Sequence, residues 1–326
     1  MMMTWKIDQA EVQELSKLGS RGAFGRGLML AAEEDDNLLV LSADLAGTSR
    51  VQPFADKYPD RFFNAGIAEQ NMTTVASALA QEGNTVFCTS FAIFSALRAC
   101  EQVRTDVAYM NANVKIVGAD AGVTIGTQGY THYAVEDISV LRAIPNLTIL
   151  CPADGVETAK ATIAAARHHG PVYLRLTGKG GFAPVYQEDY PFTIGKAVRL
   201  REGDTVAILA AGTIVHEALQ AAEILAEQGI QAEVADFHTI KPLDTAYLHE
   251  LVGRVKLIVT AEEHSILGGL GGAVCEEVAA LGAGVPVLRC GIPDSFAPIA
   301  DYRDQLQRFG LTAGLLAERI RQALEK

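Results

Sequence analysis

The chain has 326 residues, 49% of them hydrophobic and 20% charged, with a formal net charge of −12. At roughly 100–200 residues per domain this length makes about two domains, and the apolar fraction supplies a core for each, so disorder is excluded as the main state. The acidic balance repels nucleic acid and anionic lipid, and no uncharged apolar stretch reaches the ~18 residues of a membrane span. The opening Met1–Lys6 leads into charged residues without an apolar signal region, so a cytoplasmic protein is expected. Five scattered cysteines (Cys88, Cys100, Cys151, Cys275 and Cys290) form no CxxC pair. That pattern fits a reducing compartment and argues against a disulfide framework or a metal site.

In chain order, short apolar runs alternate with helical patterns. Strands are predicted at 38–41, 85–88, 114–117, 147–151 and 172–176, then at 206–210, 232–236, 257–260 and 287–290. Helices are predicted at 69–80, 156–166, 217–227, 272–281 and 315–324. Strand-then-helix repetition with continuously apolar strands predicts an α/β fold of two parallel-sheet, three-layer domains. The segment LTGKGGFAPVYQEDYPF at 176–192 breaks the rhythm with Gly, Pro, Tyr and acidic residues. The expected division is a first domain at 1–180, a linker at 181–192 and a second domain at 193–326.

Five stretches could carry chemistry. SADLAGTSR at 42–50 places hydroxyls, a carboxylate and a guanidinium after a strand, or is an ordinary polar turn. In FFNAGIAEQNM at 62–72, Glu69 stands at a loop-to-helix junction. It is either a cap favoured by the helix dipole or a carboxylate that shares a proton with a heterocycle nitrogen. TSFAIF at 89–94 offers Phe91 and Phe94 as core residues or as a platform for a flat ring. GTQGYTH at 126–132 sets His132 at a sheet's carboxyl edge, where imidazole can move protons near neutral pH or merely bond backbone. Gly268–Gly272 lacks the Lys-Ser/Thr of a phosphate loop and reads as a tight helix start or a subunit contact. In the second half, His238, Glu262, Glu263 and His264 have no spacing that defines a site and read as helix-end and interface polar residues.

Taken together and in order, the first four of these stretches and EDISVLRAIPNLTILCPAD at 136–154 resemble the pyrimidine-binding part of transketolase. AILAAGTIVHEAL, FHTIKPLD and TAEEHSILGGLGGAV resemble the carboxyl-terminal domain of the same family. The resemblance implies thiamine diphosphate as cofactor and transfer of a two-carbon ketol unit from a ketose to an aldose. It implies that Glu69 hydrogen-bonds the aminopyrimidine, that Phe91 and Phe94 flank the ring with Arg98 one helical turn on, and that Asp44 and Leu45 lie near the thiazolium. The register at the ring wall is open by one residue, since alignment to the long transketolases puts Ser95 there. His132 matches a histidine on the donor's hydroxyl and carbonyl oxygens. The GDG and Asn-Asn signature that holds diphosphate and Mg²⁺ is missing. The length therefore resembles the small subunit of a split enzyme, with Mg²⁺ and the diphosphate held by a large partner subunit, in an α2β2 assembly in which this chain also self-associates.

Departures from the family bear on the substrate. Arg21 and Thr48 match phosphate-binding residues, but Asp120 replaces a histidine and Gly178 an arginine. Lys179 next to it offers a point charge without the guanidinium fork. Gln128 replaces an aspartate that reads hydroxyl configuration. A different sugar, a sulfonate or a branched sugar phosphate thus stands beside the ordinary sugar phosphates. Deoxyxylulose phosphate synthase shares the Thr131-His132 loop but carries an arginine where this chain has Ala121. The two-oxo-acid dehydrogenase beta subunits and a non-catalytic, structural or regulatory partner are the remaining alternatives.

Overall fold

Twelve strands form two separate sheets in a computed structural model that describes residues 6–177 and 184–325. The first half supplies β1 (Leu38–Ser42), β2 (Phe62–Asn64), β3 (Thr85–Phe91), β4 (Val114–Ala119), β5 (Thr148–Leu150) and β6 (Val172–Arg175). The second supplies β7 (Val198–Arg201), β8 (Val206–Ala210), β9 (Ala232–Asp236), β10 (Thr239–Lys241), β11 (Leu257–Ser265) and β12 (Val287–Ile292). The sheet orders are β10-β5-β6-β4-β3-β1-β2 and β12-β11-β8-β9-β7.

All pairs are parallel except two at the edges: β10 runs antiparallel to β5, and β7 antiparallel to β9. The expected parallel α/β class therefore holds with mixed edges. Strand β10 belongs by sequence to the second half but completes the sheet of the first. It was missed because three residues are too few to show a period.

Alternation along the strands makes both faces apolar. On one face of the first sheet, Leu38, Val40, Phe87, Val117 and Leu174 pack under Phe24 and Leu28 of helix Gln9–Glu34 and Ile163 of helix Gly155–Arg167. On the other face, Leu41, Cys88, Ile116 and Ile149 pack with Met72 and Ala76 of helix Glu69–Gln81. The second sheet is covered likewise. Val206, Ile208 and Val259 lie under helices Ile214–Glu227 and Ala313–Leu324, while Leu209 and Ile258 lie under Leu270–Ala280. Two of the apolar cores draw residues from both halves, so the halves are packed and not merely tethered.

The first helix was not anticipated. It is 26 residues long, started by Asp8, whose carboxylate accepts from the Glu11 amide, and broken at Gly19 with φ 65°. Small residues interrupt its apolar face, because it lies directly on helix Gly155–Arg167. A Cβ at Gly155 would stand 2.1 Å from the Leu15 carbonyl, and one at Gly27 2.9 Å from that of Ala159. Among the described residues, no helix is long and apolar enough to cross a membrane. All five cysteines are free, with Cys88, Cys151 and Cys290 buried.

Candidate active site

Because β1, β3 and β4 are parallel neighbours, their carboxyl ends fall at one edge, the usual place for ligands in open α/β sheets. Glu69 reaches that edge from the first turn of its helix. The cap position itself is Ala68, which has no side-chain capping bond, and Glu69 is 2% exposed. Its two carboxylate oxygens accept from Arg98 Nη1 at 2.8 Å and from Ser90 Oγ at 3.2 Å. A buried carboxylate that already accepts from a guanidinium and a hydroxyl keeps lone pairs that can accept a hydrogen bond from a ligand. Helix capping, one of the two readings open in the sequence, is therefore replaced by a bound ion pair.

The segment after β3 explains the Arg98 position. Residues Phe94–Arg98 wind as a π-helix, a geometry frequent at functional sites. The Arg98 guanidinium lies 4.1 Å from the Phe94 ring centroid, on the aromatic face. Phe94, Phe91 and His132 then meet edge to face, with centroids at 5.4 Å (Phe94–His132), 5.5 Å (Phe91–His132) and 6.1 Å (Phe91–Phe94). Ser95, the alternative in the open register, is buried at 2% with no partner for its hydroxyl among the described residues, whereas Phe91 and Phe94 are half-buried. His132 is half-buried, with Nδ1 at 3.0 Å from the Thr131 hydroxyl.

The end of β1 is braced by residues the sequence reading passed over. Asp44 sits at φ 60°, a left-handed conformation that Asp tolerates better than most residues. Its amide donates to Asn64 Oδ1 at 3.1 Å, and its carboxylate accepts from Asn64 Nδ2 at 2.9 Å. The Leu45 amide donates to Ser42 Oγ at 3.0 Å. Thr48 is half-buried beyond them, and Gln128 is exposed in the turn Gly126–Gln128. At the end of β4, Arg21 Nη1 lies 3.2 Å from the Asp120 carboxylate, which is 2% exposed. Lys179 and Gly178 lie outside the described residues.

Glu69, Arg98, Phe91, Phe94 and His132 are thus joined by contacts, and Asp44 and Leu45 follow the end of β1, the strand paired with β3, which ends at Phe91. Arg21 is joined to Asp120 instead of to this ring. Unforeseen in the sequence were the brace Asn64, the hydroxyl of Ser90, and Glu263, whose carboxylate reaches Val123 in the His132 loop. Asn64 and Ser90 stand within the quoted motifs and could have been taken as hydrogen-bonding neighbours of Asp44 and Glu69; for Glu263 the sequence holds no such signal.

This arrangement defines a ligand-binding α/β protein with a carboxylate, an aromatic wall and an imidazole at one sheet edge. The model of the transketolase pyrimidine-binding domain matches residues 16–179, and that of the transketolase carboxyl-terminal domain matches residues 195–314. The putative transketolase C-terminal section of Methanocaldococcus jannaschii is 42% identical over 311 residues, spanning 94% of this chain and 97% of that protein. A 6-deoxy-6-sulfo-D-fructose transketolase subunit of Clostridium sp. strain MSTE9 is 40% identical, with 92% of each chain covered. A solved split-gene transketolase, described as an inactive beta4 tetramer, superposes with a TM-score of 0.86 at 38% identity, covering 95% of this chain and 99% of that one. The chain belongs to the transketolase family, and within it resembles the subunits of split enzymes.

Proposed function

We propose that this chain is the small subunit of a two-chain transketolase that moves a two-carbon ketol unit from a ketose to an aldose. The observation that carries the reading is the buried Glu69 carboxylate, tied to Arg98 and Ser90 beside the Phe91–Phe94–His132 ring cluster. The family implies thiamine diphosphate, and the residues present fit its aminopyrimidine. Glu69 supplies an acceptor for a ring nitrogen, and Phe91 and Phe94 supply faces for the ring. The buried hydroxyl of Thr89, on the same strand as Phe91, has no hydrogen-bond partner among the described residues. When bound, the cofactor supplies the carbanion chemistry of ketol transfer.

The chain's own residues then have distinct tasks. Glu69 holds the proton-bearing edge of the pyrimidine, and Arg98 keeps that carboxylate in place. Phe91 and Phe94 exclude water from the ring, while Asp44 and Leu45 shape the neighbouring floor. His132 donates or accepts a proton at the donor's hydroxyl and carbonyl oxygens. Thr48, Gln128, Arg21 and Lys179 are assigned to the substrate's far end. The relative that acts on a sulfonated fructose supports an anion-bearing sugar as the substrate class.

A large subunit carries the diphosphate and Mg²⁺ in this reading, since the chain has no GDG and Asn-Asn signature. The solved split-gene relative, an inactive beta4 tetramer, supports both self-association of this chain and its dependence on the partner, in an α2β2 enzyme. Titration of thiamine diphosphate and Mg²⁺ into each chain alone and into the mixture tests this. Tight binding is expected only in the mixture, and Glu69→Ala is expected to lower turnover on the order of 10²–10⁴-fold while the assembly persists. Turnover indifferent to Glu69→Ala sinks the catalytic reading in favour of a structural partner.

A further inference from the structure

The second half of the chain has no assigned part in the chemistry, yet it grips the loop that carries Gln128 and His132 at two places, and Arg175 of β6 ties the two halves together there. Glu263, fully buried at the end of β11, accepts from the Val123 amide at 2.6 Å, from the Thr213 hydroxyl at 3.0 Å and from the Tyr302 hydroxyl at 2.7 Å. Gln305 donates to the Tyr133 hydroxyl at 3.1 Å, and Tyr133 in turn donates to the Gly126 carbonyl at 2.6 Å. Arg175 Nη2 donates to the carbonyls of Ala134, at 2.9 Å, and of Glu263, at 3.0 Å, tying the end of the loop to the strand that bears the hub.

The loop's glycines fall where that grip is tightest. Gly122 has φ 71°, and a Cβ there would lie 2.1 Å from Glu263 Oε1. Gly129 has φ 73°, and a Cβ there would lie 2.8 Å from Ile299. The amide partner of Glu263 lies 140 residues away in sequence, and each donor to the carboxylate comes from a different segment. Burial pushes the Glu263 carboxyl above its ordinary range, while Tyr302, Arg175, Val123 and Thr213 act in the opposite sense.

We propose that Glu263, with Tyr302 and Thr213, is a positioning hub that sets the 121–134 loop, and hence His132 and Gln128, against the ring cluster. The second domain is then part of the active-site wall as well as a self-association element. This rests on the ketol-transfer reading for its kinetic consequence, though not for its structural one. Among the described residues the buried carboxylate holds one backbone amide, that of Val123, and a free loop would leave His132 able to turn away from Phe91 and Phe94.

Tyr302→Phe removes one donor and keeps the ring, and Glu263→Gln keeps the shape and removes the charge. Each full-length variant is assembled with the large subunit and compared with wild type by amide hydrogen exchange and by steady-state kinetics. The expected result is faster exchange confined to 121–134, with kcat down on the order of 10–100-fold and cofactor affinity within about twofold. Unchanged exchange in 121–134 overturns the proposal. So does a uniform rise over the whole chain, or a loss that falls on cofactor affinity instead of kcat. If wild type itself shows no ketol transfer, the functional reading fails while exchange still decides the hub.

Discussion

Asp120 faces Arg21 across 3.2 Å in the place where the family's long members have a histidine. The carboxylate occupies one arm of the guanidinium fork, so, with Arg21 at the substrate's far end as proposed, a substrate anion would meet a charge already half spent. Asp120 sits at φ 53°, a left-handed conformation that Asn adopts as readily as Asp, so Asp120→Asn removes the charge without straining the backbone. Expected is a rise of about tenfold in kcat/KM for an acceptor ending in phosphate or sulfonate, relative to one ending in a hydroxyl. Equal changes for both acceptors, measured in the same assay, would remove Arg21 from the substrate site. Arg175 is the contrasting case. It is 1% exposed, and its Nε lies 2.8 Å from Asp137, which also accepts from Tyr173 at 2.7 Å. Replacing Arg175 by Met leaves Asp137 buried without its countercharge and is expected to cost about 3–5 kcal/mol, read from the urea midpoint. A loss below about 1 kcal/mol would show the pair to be dispensable.

At the scale of elements, the first helix is placed by close backbone contact more than by side-chain size. Gly155→Ala puts a methyl 2.1 Å from the Leu15 carbonyl, against backbone that cannot rotate aside. The expected loss is about 1–3 kcal/mol, measured by chemical denaturation, with the helix Gln9–Glu34 exchanging faster than helix Glu69–Gln81. An unchanged midpoint would mean that the two helices slide apart at little cost. Arg21 lies on this helix, so its displacement is also expected to move substrate KM. Helices such as Glu69–Gln81 and Ile214–Glu227 were legible from their apolar spacing. Gln9–Glu34 was not, because glycine and alanine on its packed face leave no periodic signal.

Across the whole molecule, titration couples the two halves. Glu157 of the first half and Asp236 of the second are in side-chain contact, with the Tyr190 and Tyr186 hydroxyls on them at 2.6 and 2.9 Å. Asp154 stands close by, and Lys160 pairs with Asp189 at 2.5 Å. Burial pushes Glu157 up to about 7 and holds Asp236 well above the carboxylate range, so the pair shares a proton. A raised carboxyl pKa contributes stability in full below the unfolded value near 4.5, and that stability is lost as pH rises through about 7. Neutral His238 and His264 act in the opposite sense. Burial lowers them to about 3 and about 4, and their contribution is lost as pH falls below 6.5. Glu157→Gln is expected to flatten the decline above pH 6 and leave the acid limb. A decline as steep as in wild type would assign it to other groups.

The sequence alone was enough for the α/β class and for nine of the strands, because these rest on local periodicity, and short motifs with fixed order singled out Glu69, His132 and the two phenylalanines as candidates. Burial of apolar runs and the chemistry of a helix start act over a few residues, so they can be read from neighbours in the chain. Tertiary structure decided what lies between distant segments. It showed that Glu69 pairs with Arg98 instead of capping its helix, that Arg21 is met by Asp120, that β10 crosses into the first sheet, and that Glu263 grips the loop of His132. Each of these is a contact made across tens to more than a hundred residues, where the partner is selected by packing in three dimensions and leaves no mark on the local sequence.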